Sequence, residues 1–169
     1  YTLEGEVIVR MRPDGVDDVH GIPSAWRRTF PLHVGPIPNA DAHAIEGSRW
    51  TEWVTRVEPG DMRVDTKRRL SAFYPTDLDF LLRNERIETV VLNGGFTDCC
   101  VLNAAFDASN HNYHVVVLRD LGRGTNDEME DAALKMVSLH LGLVMDAADL
   151  LNAWHVSEAG GEQEAVSLR

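Results

Sequence analysis

From Ser48 onward, short apolar runs alternate with segments whose apolar residues recur at helical spacing, and few folds accept that order. Ser48–Val57 places Trp50, Trp53, Val54 and Val57 on one helical face. Pro59-Gly60-Asp61 breaks the chain, and a strand is expected at Met62–Asp65. Thr76–Asn84 reads as a helix, with Thr76 and Asp79 in the positions of a capping box. Thr89–Leu92 is an apolar strand that runs into Gly94-Gly95. A helix then starts near Asp98, with Val101, Ala104, Ala105 and Ala108 on one face. His114–Leu118 is a further apolar strand, ending at Arg119-Asp120. Thr125–His140 is a helix with Met129, Ala132, Ala133, Met136 and Leu139 at helical spacing and Glu128 in capping-box position. Leu143–Met145 and Ala147–Trp154 complete the series. Strand-helix repetition of this kind predicts an α/β fold with a parallel sheet, and near-continuous apolar strands fit burial on both faces.

Ahead of this series, Glu6–Arg12 reads as a strand followed by the turn Pro13-Asp14-Gly15. Between Asp14 and Ala44 the chain is rich in Gly, Pro, Asp and His without a period, so a long loop excursion is expected there. With 169 residues the chain suits one domain, expected over residues 1–156, with a polar C-terminal tail over 157–169. Sixteen Lys and Arg stand against 27 Asp and Glu, a formal charge of −11. That balance speaks against nucleic acid or an anionic membrane as partner. No apolar run has the length of a membrane span. The opening Tyr1–Gly5 has no signal-peptide organisation, and two thiols suit a reducing compartment, so the cytoplasm is expected.

In open parallel sheets, sites lie beyond the carboxyl ends of the strands. This rule selects Asp65–Arg69, Asn93–Cys100 and Asp120–Thr125. The middle segment is the most informative. An apolar strand enters two glycines, crosses a short polar turn, and begins a helix whose first turn carries Cys99 and Cys100. A helix N-terminus offers backbone N–H groups and a positive partial charge, which favour a thiolate and can hold an oxyanion. Acyl transfer through a thioester suits such a place. The plain alternative is that both cysteines are small buried apolar residues. Adjacent cysteines rarely pair in a disulfide, because the bridge strains the intervening peptide.

Gly94-Gly95-Phe96-Thr97-Asp98-Cys99-Cys100-Val101, followed by Ala104-Ala105 and Asp107-Ala108, resembles the Gly-x-x-Thr-Asp-x-Cys-Val…Thr-Ala-x-Asp-Ala signature of isochorismatase-like cysteine hydrolases. Upstream, Pro59-Gly60-Asp61, then Lys67 to Phe73, then Thr76-Asp77-Leu78 resemble the family's Pro-x-Gly-Asp…Lys-x-x-x-Ser-x-Phe…Thr-x-Leu segment. The resemblance extends from about Val7 to Leu151 and includes nicotinamidases, N-carbamoylsarcosine amidases, and ureidoacrylate and biuret amidohydrolases. It implies a three-layer α/β/α architecture of Rossmann-like topology with a mostly parallel central sheet. It also implies a catalytic Asp-Lys-Cys triad in which Cys100 is the nucleophile and Lys67 the lysine. The oxyanion hole would be formed by the N–H groups of Phe96 and Cys100, after a cis peptide between Gly95 and Phe96. The implied activity is hydrolysis of a C–N bond in a small amide or ureido compound. No cofactor is implied, and family members commonly form homo-oligomers.

Two departures stand out. The family's aspartate belongs to an Asp-x-Gln segment on its first strand, and this sequence has none. Glu6–Arg12 matches the family's second strand, so a strand and a helix, on the order of 30–45 residues, are expected to lie outside the chain. They would belong to a preceding segment, have been cleaved off, or be supplied by a companion polypeptide carrying the Asp. Asp65, Asp98 and Asp120 fall near strand ends, but Asp98 is expected to cap the helix of Cys100 and Asp120 to be structural. Nicotinamidases also carry a metal-binding Asp-x-His with a later His, which Asp18, His20 and His43 imitate. That Asp-x-His should directly follow the first strand, where this chain has Arg10-Met11-Arg12-Pro13, so loop histidines are the plainer reading and no metal is expected. His20, His33 and His43 would then line a substrate entrance, and Arg10, Arg12, Arg27 and Arg28 are either exposed cations or contacts for an anionic substrate. Two rival functions follow from the same resemblance: a catalytically inactive binding relative, suggested by the absent Asp, and vinyl ether hydrolysis, a branch that lacks the cysteine.

Overall fold

The computed structural model describes residues 5–16, 30–38, 44–53 and 56–155. The chain divides into two compact units, Tyr1–Arg86 and Ile87–Arg169.

The first unit is built on two parallel strands, β1 (Gly5–Val9) and β2 (Met62–Lys67), with Val7 opposite Val64 and Val9 opposite Lys67. Beyond β1 the backbone continues extended. Arg10 N–H donates to Lys67 O at 3.0 Å, and Met11 bridges to Ile45. Met11, Ala44, Val64, Ala72, Phe73 and Leu82 form the buried apolar set. The long loop carries an element that its composition hides, the five-residue helix α1 (Phe30–Val34). The helix expected over Ser48–Val57 is replaced, within its described part, by a single 3-10 turn at Arg49–Thr51. There the hydroxyl of Thr51 donates to Ser48 O at 2.9 Å, and the Arg49 guanidinium lies 4.5 Å from the Trp50 ring centre. Packing Trp50 under an arginine gives that ring a partner without a continuous helical face.

Helix α2 (Leu78–Asn84) begins two residues later than its sequence suggests. The expected capping box does not form. The Thr76 hydroxyl instead donates to Ala72 O at 2.5 Å and accepts the Leu78 N–H at 3.2 Å, a local turn that competes with helix extension.

The second unit is a parallel sheet in the order β3 (Thr89–Gly95), β4 (His114–Arg123), β5 (Gly142–Met145). Val90, Val91 and Leu92 stand opposite Val115, Val116 and Val117, which in turn face Gly142, Leu143 and Val144. Val115, Val116, Val117 and Leu118 are all buried, as expected for a central strand covered on both faces. Each such side chain contributes about 1.5–3 kcal/mol relative to exposure. Helix α3 (Leu102–Asn110) covers this core with Ala104, Ala105 and Ala108, whose small side chains allow close approach. Helix α4 (Asp127–His140) starts at Asn126, whose side chain accepts the Met129 N–H at 2.9 Å, so the cap is Asn126 rather than Thr125. Its buried residues are Ala133 and Val137, whereas Met129 and Met136 are exposed and Leu139 is 75% exposed. The expected face is therefore rotated. Residues 147–155 are helical, and the Asp120 carboxylate accepts the Ala147 N–H at 2.9 Å at their start. Arg119 pairs with Asp146 at 2.7 Å, which holds the Asp146 carboxyl below its ordinary pKa and raises that of Arg119. The expected tail, 157–169, lies outside the described residues.

Candidate active site

Strand β3 does not stop where its apolar residues stop. It runs through Asn93-Gly94-Gly95, with Gly94 opposite Gly122 and Gly95 opposite Arg123. Gly94 has φ +101°, a conformation that side-chain-bearing residues rarely adopt. The peptide between Gly95 and Phe96 is cis. Immediately afterwards Thr97–Val101 forms one turn of π-helix, which leads directly into α3. The carbonyl of Phe96 accepts two N–H groups, from Cys99 and from Val101, each at 3.1 Å. The N–H of Cys100 lies between those two donors in sequence. Single π turns are rare overall and frequent at functional sites.

Cys99 and Cys100 are both half-buried and no disulfide joins them. Their sulfurs stand 4.0 Å apart. Gly95, Phe96 and Cys100, three residues selected from the sequence, thus fall within one short stretch where β3 ends and the helical turn begins. Lys67 is placed in the first unit, as the last residue of β2, and is only 4% exposed. Lysines are almost never buried without a partner, so this is not an ordinary surface residue.

The turn is anchored by neighbours that the sequence reading assigned otherwise. Asp98 does not cap its own helix. Its Oδ1 accepts the Thr125 N–H at 2.7 Å and so ties the loop after β4 to the cysteine turn. The physical reason is that the end of β4 and the loop that follows it pass directly over the turn. A Cβ on Gly122 would lie 3.0 Å from Thr97 Oγ1, and one on Gly124 would lie 2.9 Å from Asp98 Oδ1. Thr97 itself is 3% exposed and packs beneath that loop. Nothing in the sequence of Thr125 signals this role, although Thr97 and Asp98 both stand inside the Gly-x-x-Thr-Asp motif. Asp65 is half exposed and paired with Arg10 at 3.0 Å. Arg12 pairs with Asp14, whose carboxyl is lowered to about 2 chiefly by that hydrogen bond. Arg68 donates to the Arg10 carbonyl and faces Glu46 at 3.5 Å. His33 is exposed on α1. Asp18, His20, Arg27, Arg28 and His43 lie outside the described residues. Among the described residues, no group of three or more His, Cys, Asp or Glu is arranged to hold a metal ion, and no helix is long and apolar enough to cross a membrane.

The isochorismatase domain family matches this chain over residues 24–149, a stretch that contains both Lys67 and the cysteine turn. The chain belongs to the isochorismatase domain family. Among curated members, the isochorismatase family protein YwoC of Bacillus subtilis is 35% identical over 112 residues, which cover 62% of this chain and 59% of that protein. The ureidoacrylate amidohydrolase RutB of Methylorubrum extorquens is 35% identical over 103 residues, 60% of this chain and 41% of RutB. The chain thus spans about half the length of the curated relatives it matches. A solved cysteine hydrolase from Pseudomonas syringae superposes with a TM-score of 0.73 at 21% identity, covering 89% of this chain and 70% of that one. At that identity the likeness establishes the α/β isochorismatase-like fold.

Proposed function

We propose that this chain carries the nucleophile of an amidohydrolase that cleaves a C–N bond of a small amide or ureido compound through a thioester. The observation behind the proposal is the place of Cys100: half-buried, in the first helical turn after β3, beyond Gly94 and the Gly95–Phe96 peptide. The amino end of a helix favours the thiolate over the thiol. In this reading the Cys100 thiolate attacks the substrate carbonyl carbon. The N–H groups of Phe96 and Cys100 receive the developing oxyanion, and the amine or ammonia departs with a proton. Water then attacks the thioester, releasing the acid and restoring the thiol. Lys67, buried at the end of β2, supplies positive charge to the thiolate and to the triad carboxylate.

The carboxylate that completes the triad is assigned to polypeptide beyond these 169 residues, a preceding segment or a companion chain. Support comes from the roles of the local candidates. Asp65 is paired with Arg10, Asp98 with the Thr125 N–H and Asp120 with the Ala147 N–H. In addition, β3 forms the edge of its sheet, with no strand on its outer side among the described residues. Ureidoacrylate is the first substrate to try, since RutB is named for it. A homo-oligomer working in the cytoplasm completes the proposal. The exposed row Met129, Met136 and Leu139 on α4 offers apolar surface to a second copy, and two cysteines without a disulfide suit a reducing compartment.

The test is ammonia release from ureidoacrylate and a panel of small amides by the native protein and by Cys100→Ala. Activity in the native protein should fall at least about 1,000-fold in the variant. Hydrolysis that survives the substitution would remove Cys100 from the mechanism. Should no substrate turn over and Cys100 alkylate no faster with iodoacetamide than in denatured protein, the inactive binding relative becomes the better reading.

A further inference from the structure

Cys99 and Cys100 stand side by side, and the hydrolase reading employs one of them. Their sulfurs are 4.0 Å apart, both side chains are half-buried, and they share a turn whose backbone is held by the Phe96 carbonyl. This separation discriminates between ligands. A disulfide holds its sulfurs about 2.05 Å apart, so closing one here would need roughly half the present gap to vanish inside an eight-membered ring. The Cys99 and Val101 N–H bonds to Phe96 O oppose that rearrangement. A single soft atom bonded to both sulfurs asks for much less. Two bonds of about 2.3 Å, meeting at an angle between a right angle and the tetrahedral one, hold their sulfurs about 3.3–3.8 Å apart.

The number of donors narrows the ligand further. Among the described residues no third His, Cys, Asp or Glu joins the pair in a set able to hold a metal ion, and Asp98 is engaged by the Thr125 N–H. Among the described residues, a centre that demands three or four protein donors finds no such set. A monosubstituted trivalent arsenical is satisfied by two sulfurs, and soft thiolates are the donors it prefers.

We propose that Cys99 and Cys100 form a bidentate thiol site for monosubstituted trivalent arsenicals. With an arsenic oxide R–As=O, two As–S bonds form as the As–O bonding is lost. Both thiol protons leave with the oxygen as one water, and arsenic stays trivalent, so nothing is oxidised or reduced. Occupancy would also silence hydrolysis. That consequence rests on Cys100 being the nucleophile, whereas the binding does not.

The experiment titrates the native chain with phenylarsine oxide, reading intact mass, iodoacetamide labelling and amide hydrolysis in the same samples. One phenylarsenic group per chain is expected, with both thiols then resisting alkylation. A dithiol such as 2,3-dimercaptopropanol should release it, and 2-mercaptoethanol at equal thiol concentration should not. Cys99→Ser and Cys99→Ala should each bind at least about 100-fold more weakly, because the second sulfur acts at high effective concentration. Equal affinity in the native protein and both variants, or ready release by the monothiol, would overturn the site. Uptake without loss of hydrolysis would uphold it and sink the nucleophile assignment instead. Failure of uptake in an active protein would sink the site alone.

Discussion

Lys67 shows how much one side chain's surroundings can add to its place in a motif. In the sequence it is one cation in the run Lys67-Arg68-Arg69, and only the flanking pattern sets it apart. In the fold it ends β2 and is buried. Removing a charge from water is costly unless partners compensate it, so a lysine buried here depends on the groups around it. Lys67→Met keeps the length of the side chain and removes the charge. In this variant kcat/KM for the amide should fall at least about 100-fold, by more than any loss of folded protein explains. A stability loss without an activity loss would make Lys67 structural. The turn that carries Cys100 was legible for a related reason, since Gly-Gly before a helix with cysteine in its first turn is a local pattern. Asp98 was misread because a carboxylate early in a helix is ordinarily a cap. Its true partner, the Thr125 N–H, is 27 residues away and carries no side-chain signal.

At the scale of elements, the apolar runs located every strand of the described second unit but not their lengths. His114–Leu118 is the apolar part of β4, yet the strand continues to Arg123 because Gly122 and Arg123 pair with Gly94 and Gly95. Those last residues are polar, so only the pairing makes them a strand. The face of α4 was legible as helical and wrong in rotation. An offset of about one residue leaves Ala133 and Val137 inward and Leu139 outward, and periodicity alone does not say which of two adjoining stripes meets the sheet. Close contact between elements also explains Gly142. A Cβ there would lie 2.1 Å from the Val115 carbonyl oxygen, backbone that cannot move without parting β4 from β5. Gly142→Ala is expected to destabilise the protein by at least about 2 kcal/mol, seen as a lower urea midpoint. An unchanged midpoint would mean that β5 is not held at this distance.

For the whole molecule, charge and pH set the conditions under which the fold persists. With a formal charge of −11 the chain repels itself at neutral pH, and the pairs Arg119–Asp146 and Arg12–Asp14 locally offset that repulsion. Both carboxyls are held below their usual values by arginine. Between the folded and unfolded pKa values the unfolded chain binds more protons. Each pair therefore stabilises the fold fully above about pH 4–5 and loses that contribution as pH falls through the folded value. Thermal melts of native protein and Asp146→Asn should differ by a constant amount above this range and converge below it. A gap that persists to strong acid would show that the Asp146 charge is not its source. The sequence by itself determined the α/β class, the parallel strands of valine, the turn that carries Cys100 and the family, because these depend on local periodicity and on a motif of near neighbours. The tertiary structure alone decided the burial of Lys67, the length of β4, the inward face of α4, the tie from Asp98 to Thr125 and the spacing of the two sulfurs. Each of these depends on which distant backbone or side chain comes close, and a linear pattern holds no distance between residues far apart in it.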